Sequence, residues 1–385
     1  MQTRNKLLII LTFLSFFLLC YFNISSLGSE TAASIWLVWS RLLVLLLGVY
    51  AMFTCDHVKK SNFTSFWILW FVWQTLVIFL QDHFSHGPGS YFCVVYAPLC
   101  FLLAYFSSQD EDSKKIIRFL GIAVFLFCCA FVVYIINTNI IYVFGINEGG
   151  NNLIYWPLCA FPYIFFIEKK LYKYALIVLM VILTVVFMKR TATIIVSLSL
   201  VAFIANELKS EGNSAKKIII LAMILIIIVL SYFILNHYYG YYLDNLIMRF
   251  NKIEYDGGSG RDEVYDAVWK YQKTSDSGQW IFGHGYNSIL LTGQSNAHND
   301  LLQELFEFGL IGVCFYLSLI VYLIKRTILL VRTRSSYTSA YCVSVVITIV
   351  LGAFSNLIVF YNYVAFLTFF WGYVEARLKK NGKIV

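Results

Sequence analysis

Charge is scarce in this chain. Asp, Glu, Lys and Arg make up 13% of its 385 residues, against 60% hydrophobic residues and a mean hydropathy of +0.73. A soluble domain carries nearer one quarter charged residues. The balance excludes a soluble globular core and describes an all-α polytopic membrane protein. Proline is scarce too: only Pro88, Pro98, Pro157 and Pro162 occur, and neither half of the chain repeats the other. Both absences argue against a transporter built from inverted repeats with paired broken helices. Cysteine is present without forming a framework. Cys20, Cys93, Cys100, Cys128, Cys129, Cys159, Cys314 and Cys342 lie in apolar runs, Cys55 sits at the edge of one, and none falls in the one long polar segment. They read as small hydrophobes, which argues against disulfides and metal clusters. His83-x-x-His86 and His284 face the same side, but no cysteine or paired carboxylate completes a metal set. The expectation is no metal and no cofactor.

What is abundant is apolar sequence. A spanning helix needs about 20 apolar residues. Such runs stand near 7–27, 33–54, 63–80, 90–106, 117–137, 151–167, 174–188, 191–206, 217–236, 308–324, 338–356 and 357–375, which gives about 12 transmembrane helices. Arg4 and Lys6 precede the first run as in a signal peptide, but residues 7–27 suffice to span and no small-residue cleavage site stands out. That run is read as the first transmembrane helix. The whole of 1–385 is read as one integral membrane domain.

The basic residues give the orientation. With the N-terminus inside, 21 of the 29 Lys and Arg residues fall in cytoplasmic segments, 7 in outer segments, and Arg41 within a helix. Both termini are then cytoplasmic. The net charge of +8 is a topology signature, with no need for a nucleic-acid partner. The long polar segment, 237–299, becomes the one large extracytoplasmic loop.

Within and beside that loop lie the chemical candidates. The stretch 296–312, Asn-Ala-His-Asn-Asp-Leu-Leu-Gln-Glu-Leu-Phe-Glu-Phe-Gly-Leu-Ile-Gly, carries polar residues into an apolar helix. His298 titrates near neutrality and can shuttle a proton. Asn299 adjoins it. Gly309 and Gly312 are spaced to let another helix come close. Gly257-Gly258-Ser259-Gly260-Arg261 opens a short amphipathic helix over 262–273. Gly260 permits close approach of backbone to a ligand, and Arg261 offers a planar fork for phosphate oxygens. The alternative is an ordinary surface turn with a solvated arginine. Lys189 and Arg190 form a turn between apolar runs of about 15 and 16 residues, only about 22–24 Å of helix each. The turn then sits below the outer surface, either lining a cavity or snorkelling to the interface. Arg41, about eight residues into its helix, is either a functional intramembrane cation or one half of a structural pair.

Taken together, the motifs resemble the bacterial O-antigen polymerase and O-antigen ligase superfamily, membrane glycosyltransferases of the GT-C type. The matching features are His298-Asn299, nine residues, then Gly309-x-x-Gly312; Ser259-Gly260-Arg261 with Trp269; Phe282-Gly283-x-Gly285; and the Lys189-Arg190-Thr191 turn. The likeness covers about 151–324. It implies metal-independent transfer of a glycan from undecaprenyl diphosphate on the outer face of the cytoplasmic membrane. His298, Arg261 and Arg190 take catalytic places. Lys189, Arg41, Asn299 and Gly260 bind substrate. The expected partners are the undecaprenyl-diphosphate-linked oligosaccharide, membrane lipid and a chain-length regulator. The product is O-antigen, capsule or exopolysaccharide if the protein is a polymerase, and glycan on lipid A-core if it is a ligase. A flippase for lipid-linked glycan is the rival from another class.

The topology has a direct test. Alkaline phosphatase fused within 237–299 should be active, and the same fusion after Lys380 inactive; the reverse pattern would invert the assignment.

Overall fold

The computed structural model describes residues 2–25, 32–54, 61–80, 88–108, 111–138, 152–210, 257–294, 296–358 and 361–380, with scattered residues between 233 and 251. His83 and His86 lie outside the described residues. So does the run expected near 217–236, apart from Phe233 and Asn236.

The described residues are helical and contain no strand. In order they form α1 (Gln2–Ser25), α2 (Ala32–Thr54), α3 (Asn62–Leu80), α4 (Pro88–Ser107), α5 (Glu111–Thr138), α6 (Tyr155–Ala160), α7 (Lys170–Val186), α8 (Arg190–Ser210), α9 (Gly257–Gln272), α10 (Ser277–Phe282), α11 (Asp300–Arg332), α12 (Thr338–Phe354) and α13 (Tyr361–Lys380). Five of them, α1, α3, α5, α8 and α11, are long and apolar enough to cross a membrane. By that measure five spans stand among the described residues, with shorter apolar helices at Val38–Thr54, Val95–Ser107, Asn152–Phe166 and Thr338–Phe354. The apolar run near 151–167 is not one regular helix: α6 passes into a 3-10 helix, Phe161–Phe166, with Pro162 in its first turn. Proline has no N–H for the α-helical bond, which marks the change.

The helices group into two compact units. The first comprises Met1–Val124, Arg261–Tyr322 and Gly352–Val385; the second comprises Phe125–Gly260 and Leu323–Leu351.

In the first unit α4 is the hub, packing against α13, α2, α3 and α1. Lipid tails are as apolar as the side chains they touch, so shape rather than water exclusion holds such helices together. The contacts are accordingly close. A Cβ added to Gly372 of α13 would lie 2.2 Å from the carbonyl oxygen of Phe101 in α4. Between them runs an aromatic stack. Trp67 lies 5.3 Å from Trp70, 5.2 Å from Phe101 and 6.4 Å from Trp371, centroid to centroid. Such pairs contribute roughly 0.5–1.5 kcal/mol each beyond area burial.

One end of this unit is ionic. Lys6 Nζ meets Asp112 at 2.7 Å, Arg377 pairs with Glu111, and Arg4 donates to the carbonyl of Thr54. The opposite end of α13 holds Asn362, which accepts from Arg41 Nη2 at 3.4 Å. The 15 residues between Asn362 and Arg377 correspond to about 22 Å of helix.

Near that second end α11 is broken. Gly309 has φ 67 and ψ −164, outside the helical range. The break frees carbonyls, and the loop after α10 takes them: His284 N donates to Phe306 O at 2.8 Å and Gly285 N to Glu307 O at 2.9 Å. The two backbones touch. A Cβ on Gly283 would lie 2.3 Å from Glu307 O, and one on Gly309 would lie 2.3 Å from Ile281 O. The close partner of Gly309 is thus the C-terminal end of the short helix α10 and the glycine that follows it. Gly312 makes room for its own helix, since a Cβ there would meet Phe308 Cβ at 2.4 Å and Glu304 Oε2 at 2.9 Å.

In the second unit α7 and α8 form a hairpin. Its turn uses Met188 in the left-handed region, φ 47. Val185 packs with Leu246 beneath it.

Replacing Gly283 or Gly309 with alanine should abolish folding, read as loss of the monodisperse peak and of the cooperative melt in detergent. Gly293 also has positive φ but nothing within 4 Å. Gly293→Ala should cost only about 1–2 kcal/mol of backbone strain and retain the peak.

Candidate functional site

The site is built on the turn before α11. His298 has φ 51, a left-handed conformation uncommon for a residue with a side chain. Its N–H donates to Asn296 Oδ1 at 3.3 Å, which closes the turn, and its ring is half-buried. Asn299 is the N-cap of α11: its Oδ1 accepts from Leu302 N at 3.0 Å. Its Nδ2 donates to the carbonyl of Ala353 at 3.2 Å, which ties the turn to the last residues of α12. The buried Asp300 continues the latch by accepting from Leu357 N at 2.9 Å and Ile358 N at 3.3 Å. Residues 353–358 are therefore held by two successive side chains of the 298–300 turn.

Arg261 approaches from α9. Gly260, in front of it, has φ 75 and open space around its Cα. One turn along α9, the Tyr265 hydroxyl is hydrogen-bonded to the Asn299 side chain and feels the charge of Arg261. Burial raises the Tyr265 pKa, while Arg261 and Asn299 work against that rise. The phenol stays protonated through the physiological range and acts as a neutral link between Arg261 and the 298–299 turn. Beneath it, Val268 packs with Ile289, Ala297, Leu302 and Phe306, which fixes α9 against the start of α11.

A second polar chain supports the turn from the other side. Ala297 N donates to Gln303 Oε1 at 2.7 Å, and Gln303 Nε2 donates to Glu307 Oε1 at 2.6 Å. The backbone N–H groups of Asn287 and Ile289 also reach Glu307. Gln303 and Glu307 thus join the loop after α10 to the residue preceding His298. His284 is structural in this arrangement. It is buried, its ring stacks on Phe306 at 4.5 Å, and its Nε2 lies 2.8 Å from Ser275 Oγ.

The first unit therefore brings together Arg261, Tyr265, His298 and Asn299. Arg41 belongs to the same end of this unit. It is 8% exposed and bonded to Asn362 at the start of α13, which is the structural pairing weighed for it. Lys189 and Arg190 belong to the second unit. Lys189 Nζ lies 5.7 Å above the Tyr155 ring, and Arg190 begins α8. The helices beside them are longer than their apolar runs, 17 residues in α7 and 21 in α8. At 1.5 Å per residue α7 covers about 25 Å and α8 about 31 Å, so only α8 matches the roughly 30 Å hydrocarbon core. Among the described residues no three His, Cys, Asp or Glu side chains are grouped to hold a metal ion.

Sequence reasoning passed over Tyr265, Gln303 and Glu307. A signal for the last was present. Asp300, Glu304 and Glu307 recur on one face of a helix that continues as an apolar run, and all three are at most 3% exposed.

Residues 175–317 match the family model described as O-antigen ligase. No curated protein matches the chain. The matched segment contains the 189–190 turn, α9, the loop after α10 and the broken start of α11. Over residues 175–317 the chain thus carries the domain that marks the O-antigen ligase and polymerase superfamily.

Proposed function

We propose that the protein is a polysaccharide polymerase that joins undecaprenyl-diphosphate-linked repeat units, forming O-antigen, capsule or exopolysaccharide. At the coarser level it is a membrane-embedded glycosyltransferase of the O-antigen ligase and polymerase type, acting on a lipid-linked glycan. The observation that carries the reading is the link from Arg261 through Tyr265 to Asn299, the neighbour of His298, at the end of the first unit opposite its ionic pairs. The ionic end carries Lys6, Arg377 and Lys380, which the charge rule assigns to the cytoplasm. The His298 end then faces outward. The reading retains about twelve transmembrane helices, one membrane domain with an outer loop at 237–299, and cytoplasmic termini.

Each residue has a role in the transfer. An acceptor hydroxyl attacks the anomeric carbon, the C1–O bond to diphosphate breaks, and the diphosphate leaves with the electron pair. His298 takes the hydroxyl proton. Arg261 and Arg190 are assigned to stabilise charge growing on the leaving group, which fixed donors do best in a dry site. Asn299 and the Gly260 backbone contact the glycan or its diphosphate. Lys189 and Arg41 add positive charge for binding. With arginines in this place the reaction needs no metal. A chain-length regulator is a fitting partner.

The second reading, ligase, is favoured by the description of the matching family model. The glycan of a deletion strain separates the two. Single repeats on lipid A-core indicate a lost polymerase, and polymer retained on undecaprenyl diphosphate indicates a lost ligase. Restoring the strain with His298→Ala or Arg261→Ala should leave polymer at least 100-fold below wild type, at equal protein level. Full polymer from both variants would overturn the assignment. EDTA should not change the rate in proteoliposomes. Gln303→Ala should lower kcat with little change in KM, because it loosens Ala297 and thereby His298.

A further inference from the structure

We infer that residues 277–292 are inserted in the bilayer, with the side chains of Ile281, Phe282, Leu290 and Leu291 among the acyl chains beside α3. These four are 42–51% exposed, an unusual density of open apolar surface for a segment between two polar stretches. Depth decides what covers them. The Phe282 ring lies 6.1 Å from that of Trp73, and Tyr286 and Phe308 pack with Val77. Trp73 stands seven residues before the end of α3, a helix apolar enough to span, whose last residues, Phe79 and Leu80, are 61% and 79% exposed. Seven residues are about 10 Å of helix. Phe282 thus lies about 10 Å inside the end of an apolar span, where the surrounding medium is hydrocarbon.

The backbone is prepared for that medium, where every polar group must be satisfied internally. Gly283 N donates to Gln279 O, His284 N to Phe306 O, Gly285 N to Glu307 O and Ser288 N to Gly285 O. The segment also runs from polar to apolar. Asp276 and Gln279 form a capping box at the exposed start of α10, at headgroup level, and Ile281 and Phe282 follow at its end. The inserted segment sets the height of the His298 turn relative to the membrane, since His284 and Gly285 hold the helix that His298 begins.

The test uses the photocrosslinker p-benzoylphenylalanine at Phe282, at Leu290 and, as control, at Asp266 on the exposed face of α9. Each full-length protein is placed in nanodiscs of phosphatidylethanolamine and phosphatidylglycerol, irradiated, and weighed intact. Phospholipid adducts at Phe282 and Leu290 should exceed those at Asp266 at least five-fold. Adducts no more frequent than at Asp266 would overturn the insertion. Adducts that form only when undecaprenyl diphosphate is added would also overturn it, because the surface would then hold a substrate tail and not the bilayer. The result does not depend on the reaction proposed above, since an inactive protein seated in this way still crosslinks.

Discussion

A helix that stops inside a membrane leaves carbonyls that nothing around it can satisfy, unless the protein brings donors to them. The break of α11 at Gly309 creates that demand, and the loop at 283–285 meets it. The two backbones must come within a distance that only glycine allows on both sides. This paired approach fixes the loop after α10 and the short first segment of α11 as one body. The turn at His298, the cap at Asn299 and the cluster around Val268 and Phe306 are all placed by that body.

On this base the site is held by side chains that do no chemistry. Asn299 caps α11 and grips the end of α12, and Asp300 holds the turn that leads into α13. Gln303 and Glu307 tie the residue before His298 to the loop. The left-handed backbone at His298 is a conformation that must be imposed from outside, and these bonds impose it. Tyr265 adds the link to α9, so that Arg261 and Asn299 share one neutral neighbour. A histidine on a polar turn would otherwise be free to wander. Here its backbone has little freedom to do so.

Much of this was legible in the sequence because apolar runs and charge asymmetry are strong signals. The helices α1 to α5, α7, α8, α12 and α13 stand where such runs stand. Arg261 and the His298–Asn299 pair stood out in the sequence because glycine and polar punctuation mark their segments. The details that failed have physical reasons. Gly309 and Gly312 read as a helix-packing pair, but only Gly309 meets another helix, the end of α10, and a sequence spacing does not reveal its positive φ. The depth of the Lys189–Arg190 turn was inferred from apolar length, but helices continue through polar residues such as Glu207 and Lys209, so that length underestimates them. Residues 151–167 read as one span, although two prolines lie within it. Glu307 carried a signal in the acidic face it shares with Asp300 and Glu304, but its backbone partners at Asn287 and Ile289 lie in the loop after α10, and no local pattern announces them.

The central place of α4 has a consequence for how the protein is made. Its principal partner, α13, is synthesised on the order of 250 residues later. Until then the backbone of α4 at Phe101 and the Ala104 side chain lack the close contact that Gly372 brings to them, although the Phe101 ring already has Trp67 of α3 beside it. The early helices must wait in the membrane with their tightest seam open, and assembly of the first unit ends only when the late helix enters. A ribosome that stalls before α13 therefore leaves a bundle whose helices are inserted but whose hub is unfilled. That is a form that quality-control proteases in the membrane are placed to recognise.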